Sequence, residues 1–359
     1  MIRLRRAIVT ALGPARPGAH EVEVDVEGET ASAIAYPDLT GPIAVGDSVV
    51  LNTTAVALDL GTGGVHFVVA VEGSEPGGLP AGRAMKVRYT PMQTAVEVVE
   101  DAHRDALEGS AGLGRIPVVC APLHSMVGPV AAGAKRAGRG ARVVYVMTDG
   151  AALAGPFSRL VTELRLGGLL DGWITCGQAF GGDLEAVTVW SGMLAASAVL
   201  GADAIVVADG PGNLGTDTTW GVSALSSGNA LNAARALDGR PIPSLRLSFA
   251  DDRDRHRGLS HHSRTILRDV CLVETNVPVP VLPDPQRVVV WDALRAAGLH
   301  ERHQLVEVDG RPALDELAAR GIEVRSMGRT PEDDPAFFLA AGAAGVLAGR
   351  LAVENARWR

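Results

Sequence analysis

Lysine, cysteine and aromatic residues are all scarce in this chain, and each scarcity excludes something. The three cysteines among 359 residues, Cys120, Cys176 and Cys271, are odd in number and far apart. They offer neither a disulfide framework nor a clustered thiolate metal site. Thiols of this kind fit a reducing, cytoplasmic setting. Lysine occurs only at Lys86 and Lys135 among 33 basic residues, so arginine is the default cation and its number alone carries little. With a net charge of −8, nucleic-acid binding needs a local basic patch working against the overall field. Aromatic content of 4% leaves little material for stacking bases. Long apolar runs are also missing. The uncharged stretch Ala186 to Ala202 is broken by Thr188, Ser191 and Ser197 and reads as a buried helix, with no membrane span expected. The early apolar run Ala7–Leu12 is too short for a signal peptide.

What is present divides in two. Residues 1–71 alternate apolar and polar side chains, as in Glu21-Val22-Glu23-Val24-Asp25-Val26, with turn signals at Gly46-Asp47 and Gly61–Gly64. Short strands with regular turns predict a small all-β barrel or sandwich. Residues 72–84 are rich in Gly and Pro and read as a linker. From 85 to 359 apolar strands alternate with helical patterns, which predicts an α/β domain with a mainly parallel sheet flanked by helices. The expected strands are Pro117–Ala121, Arg142–Met147, Gly172–Cys176, Ala204–Ala208 and Leu245–Ala250, followed by Val288–Trp291, Gln304–Val308 and Ile322–Arg325. The expected helices are Ser125–Arg136, Pro156–Leu166, Asp183–Leu200, Val222–Leu237 and Asp334–Leu351.

Ligands bind beyond the carboxyl ends of parallel strands. Polar residues just after the expected strands are therefore the candidates: His124 and Ser125, Asp149, Asp209 with the loop that follows it, and the segment from Asp251 onward. That segment, Asp251–Arg268, holds three of the nine histidines and five arginines. Ser260 suits a helix N-cap and places His261 and His262 in the first turn, where free N–H groups favour an anion. Arg253, Arg257 and His256 add donors for a phosphate or carboxylate.

The loop Gly210-Pro211-Gly212-Asn213-Leu214-Gly215 matches G-x-G-x-x-G, but polar Thr216–Thr219 and Trp220-Gly221 stand between the glycines and the next helix, and the first acid after the next expected strand, Asp251, is too distant. This argues against a dinucleotide site. Gly210, Gly212, Gly215 and Thr216 fit an anion cradle better. Metal-ligand residue types are present without a diagnostic spacing, so a metal and any cofactor stay open.

Five segments carry a family resemblance: GDSVVLNTTAVALDLGTGGVHFVVA (Gly46–Ala70), MKVRYTPMQ (Met85–Gln93), YVMTDGAAL (Tyr145–Leu153), CGQAFGGDLEAV (Cys176–Val187) and RHRGLSHHSRT (Arg255–Thr265). The chain resembles the bacterial family known as domain of unknown function 3866. That resemblance implies no activity and assigns no catalytic residue.

The expected function is that of an enzyme, a hydrolase or group transferase, acting on a small anionic or phosphorylated substrate. The candidate catalytic residues are His261, His262, Asp251, Asp149 and His124, with imidazole as proton carrier. The alternative is a non-catalytic metabolite-binding or regulatory protein. A homodimer through the apolar final helix is a further expectation, and nucleic acid is not the expected partner.

Overall fold

A computed structural model of the chain describes residues 1–60, 63–74 and 82–357. Two compact units emerge, residues 1–96 and 97–359. Part of the expected linker, residues 75–81, lies outside the described residues, as do Gly61 and Thr62 of one expected turn.

The first unit is a closed barrel of β1 (Leu4–Arg16), β2 (Ala19–Val26), β3 (Glu29–Ala35), β4 (Ser48–Asn52) and β5 (His66–Val71), ordered β1-β2-β3-β5-β4. Strand β4 returns to β1 in the antiparallel register Ala7↔Val49, which closes the ring. The alternation in β2 decides which side faces in. Val22 and Val24 are buried with Val9, Val49 and Leu51, while Glu23 and Asp25 point to solvent. A short hairpin of β6 (Ala84–Lys86) and β7 (Thr94–Val96) belongs to this same unit. The compact division therefore falls after Val96.

The second unit is built on six parallel strands: β8 (Pro117–Cys120), β9 (Val143–Thr148), β10 (Gly172–Cys176), β11 (Leu184–Ala186), β12 (Ala204–Asp209) and β13 (Arg240–Pro243). Their order is β11-β10-β9-β12-β8-β13. The apolar runs reflect burial on both faces. In β9, Val144 and Val146 join one core layer, while Val143, Tyr145 and Met147 join the other.

Four expectations need correction. Leu245–Ala250 is not a strand of the parallel sheet: that place is taken by β13, Arg240–Pro243, and only Leu247–Ser248 is extended, pairing antiparallel with Gly258–Leu259. Val288–Trp291 is not a strand but part of the helix Gln286–Ala296. Its valine run suggested extended chain, but Val290 and Leu294 bury one helical face while Val288 and Val289 stay exposed. Ile322–Arg325 is not a strand either: no strand pairs with it, and Glu323 and Arg325 face outward. Asp183–Leu200 starts as the edge strand β11 and becomes helical only at Val189–Ala198, where Thr188 and Ser191 form a reciprocal cap. Strand Gln304–Val308 does form, in parallel with Asn276–Pro280.

The last helix, Pro335–Ala356, is the one helix among the described residues long and apolar enough to cross a membrane. It is buried within its own unit, packed along the helix Val127–Gly138. Small residues let the two backbones approach closely: a Cβ on Gly133 would meet the Gly342 carbonyl oxygen at 2.7 Å. The apolar faces that suggested a homodimer are covered by the unit itself.

Candidate functional site

Loops after β8 and β12 and the chain after β13 border a cleft of about 500 Å³. The β8 loop supplies Leu123, His124 and Ser125; the β12 loop supplies Pro211–Thr216. The third contribution starts at Leu247–Ser248, which pairs antiparallel with Gly258–Leu259. Between them runs the loop carrying Asp251, Arg253, Arg255 and His256. Ser260 then caps the helix His261–Thr265, its hydroxyl accepting the His262 N–H, as the sequence predicts.

Three imidazoles converge here. The His261 and His262 ring centroids are 4.1 Å apart, and each lies about 5 Å from His256. One ring nitrogen from each falls within 4.8 Å of the other two. Ser260 Oγ is 2.8 Å from His256 Nδ1. Arg246 Nη1 donates to His262 Nδ1 at 3.2 Å. A guanidinium has no acceptor, so in this arrangement His262 carries its proton on Nε2.

Burial pushes the His256 ring down to about 3 and the His262 ring to about 4, with Arg246 among the neighbouring cations that add to each shift. His261 is lowered by burial and then by Arg255. These rings are neutral near pH 7, so the positive charge of the cleft comes from arginine. Burial and Arg253 pull the Arg246 guanidinium down to about 10, still charged at neutral pH.

Asp251 organises that charge. Arg253 grips it bidentately at 2.9 and 2.8 Å, and Arg246 and Arg329 approach at 3.6 and 3.7 Å. The Arg253 hydrogen bonds are the largest influence holding this carboxyl well below the usual range. Asp251 is thus an anchor for arginines and does not touch a histidine ring nitrogen by hydrogen bond.

The remaining sequence candidates separate. Gly212, Gly215, Thr216, Arg253, His256 and His262 line the cleft. Gly210 does not; it packs tightly, and a Cβ there would meet the Ala152 carbonyl oxygen at 2.5 Å. Arg257 is exposed and outside the cleft lining. Asp149 is exposed and accepts the Gln178 N–H at 2.8 Å, tying two strand ends together.

His124 borders the cleft, but both its ring nitrogens are engaged. Nδ1 faces Tyr145 Oη at 3.2 Å and the Asp209 carbonyl at 3.3 Å, and Nε2 lies 2.7 Å from Ser158 Oγ. Burial pushes its ring down to about 4. The Asp209 carboxylate accepts from Thr148 at 2.5 Å, Ser226 at 3.0 Å and Asn213 at 3.1 Å, so it fixes the glycine loop.

Sequence reasoning missed Arg246, Arg325, Ser326 and Met327, all in the lining. Arg246 left one signal, a lone charge inside the apolar run Leu245–Phe249.

The arrangement defines an α/β protein with an arginine- and histidine-lined cleft at the strand ends. Matched over residues 32–345, the chain belongs to the family described as Protein of unknown function (DUF3866). No curated protein matches the chain.

Proposed function

We propose that the cleft binds a small organic anion carrying a phosphate or carboxylate group, and that the chain is a hydrolase or group transferase acting on it. One observation carries this reading: Arg246, Arg253, Arg255 and Arg325 line the cleft, and among the described lining residues none is acidic. Guanidinium forks match phosphate and carboxylate geometry. Leu123, Leu160, Val222 and Met327 offer an apolar wall for the organic part. The imidazoles beside the arginines are neutral near pH 7 and keep a lone pair; a bound anion that offsets the arginine charge would raise their low proton affinity toward the range that proton transfer needs.

The test is calorimetric titration of the full chain with inorganic phosphate, then with sets of phosphomonoesters and dicarboxylates, with product analysis. Saturable binding is expected, weakened about tenfold by Arg255→Ala or Arg325→Ala, the ~1.4 kcal/mol typical of a charged hydrogen bond. Binding indifferent to both substitutions sinks the reading. Saturable binding with no product removes the enzyme and leaves a receptor for the anion.

A further inference from the structure

Two ring nitrogens beside the cleft are shielded from solvent without a protein hydrogen-bond partner: Nε2 of His261 and Nε2 of His262. The His262 side chain is deeply buried, at 5% exposure. Successive helical residues point roughly 100° apart, yet these two rings lie with centroids 4.1 Å apart and both turn toward His256. Unpartnered shielded nitrogens on two rings, in a cluster where one ring nitrogen from each of three histidines lies within 4.8 Å of the others, call for a ligand there.

We infer that His256, His261 and His262 form a binding site for a divalent first-row transition ion of the zinc class. The donor set fixes the class: imidazole suits zinc, iron, cobalt and copper, whereas magnesium and calcium take oxygen. Three protein ligands and an open position follow the pattern of reactive sites more than structural ones. Ser260 holds His256 by the ring nitrogen Nδ1, 2.8 Å away, as outer partners orient metal-bound histidines. Its hydroxyl also caps the helix that carries the other two ligands, so one residue positions the whole triad. The arginines of the same cleft oppose a bare cation. An anionic co-ligand between ion and guanidiniums satisfies both. The metal site shares the cleft with the anion reading but does not depend on it.

One contact must change on loading. Arg246 donates to His262 Nδ1, which leaves the ring proton on Nε2. A metal needs the Nε2 lone pair. The proton therefore moves to Nδ1 through solvent, with none released overall. Arg246 gives up its contact and keeps Asp251, whose Oδ2 is 3.6 Å from Nη2. Arg246 is thus a competitor of the ion for His262.

The experiment titrates the folded full chain with Co²⁺ alone, followed by its visible ligand-field bands, by zinc displacement and by X-ray absorption. Stoichiometric uptake with an imidazole-rich coordination shell is expected. His256→Ala, His261→Ala and His262→Ala should each weaken it at least ~10-fold. His261→Gln, a milder change at a half-buried first-turn position, keeps the test open if the alanine variants do not fold. Arg246→Met should tighten Co²⁺ binding several-fold, whereas the anion reading has it weaken phosphate binding. Folded protein that takes up no Co²⁺, uptake unchanged in folded His261→Gln, or a shell without imidazole overturns the site. Weaker Co²⁺ binding in folded Arg246→Met overturns the competition. Loss of phosphate binding with Co²⁺ uptake intact removes the anion reading and leaves the metal site standing.

Discussion

Ser260 and His256 are joined across one turn of chain: the serine hydroxyl lies 2.8 Å from His256 Nδ1 while the same oxygen accepts the His262 backbone N–H. Ser260 is fully buried. Ser260→Ala removes the helix cap and leaves a buried ring nitrogen without its partner. We expect a loss of ~1 kcal/mol in urea-denaturation stability. No loss would show that backbone geometry alone sets the start of this helix.

Arg253 and Arg257 lie four residues apart and should behave oppositely. Arg253 lines the cleft and clamps Asp251; Arg257 is exposed and stands apart from it. Phosphate affinity is expected to fall about tenfold in Arg253→Ala. It should stay the same in Arg257→Ala, with stability within ~0.5 kcal/mol. Equal losses in the two variants would point to a diffuse positive field in place of a built site.

His124 supplies a pH dependence of stability. Its ring is held at about 4 against an ordinary 6.5, chiefly by burial. The unfolded chain therefore takes up this proton first as pH falls. The stability this group contributes is fully present above pH 6.5 and is lost between there and about 4, at up to ~1.4 kcal/mol per pH unit and about 3 kcal/mol in all. Urea midpoints measured from pH 7 to 4 should fall less steeply in His124→Gln, by about one proton's worth of slope. Parallel curves for the two proteins would place the titration elsewhere.

Gly133 tests the packing of the buried final helix. A Cβ at this position would meet Gly342 O at 2.7 Å and Val346 N at 2.8 Å, both backbone atoms that cannot turn aside. Gly133→Val should lower stability by about 3 kcal/mol, because the two helices must separate. A shift under ~1 kcal/mol in denaturant unfolding would mean that the contact is looser than its geometry indicates.

The sequence was most legible where one physical signal dominated. Continuous apolar runs located β8, β9, β10 and β12, and strict alternation in β2 located the barrel wall. It was least legible where β-branched residues sit on a helix, as at Val288–Val290, since valine favours strands locally while the surrounding period decides the outcome.

In the site, the Ser260 cap was legible and placed His261 and His262 in one turn. The strand expected just before them was not, because the sheet strand is Arg240–Pro243 and Leu245–Ala250 forms only the short ladder at Leu247–Ser248. Arg246 escaped because a charge within an apolar run looks like a surface position until the fold shows it 5% exposed. Arg325 escaped because its segment was expected as a strand. His124 and Asp149 were placed after the right strands, yet side-chain partners such as Ser158 for His124 and a backbone amide for Asp149 come from distant sequence.

The carboxylates of Asp251 and Asp334 stitch two remote stretches of chain together. Arg329 reaches both, at 3.7 and 3.4 Å, and Asp334 accepts Ser248 Oγ at 2.6 Å and the Phe249 N–H at 3.2 Å. The arginine-bearing loop therefore cannot swing out without also loosening residues 326–334. In hydrogen-exchange language the two stretches form one opening unit. Their amides should exchange with a common free energy, and a phosphate-bearing ligand that slows one should slow the other by the same factor.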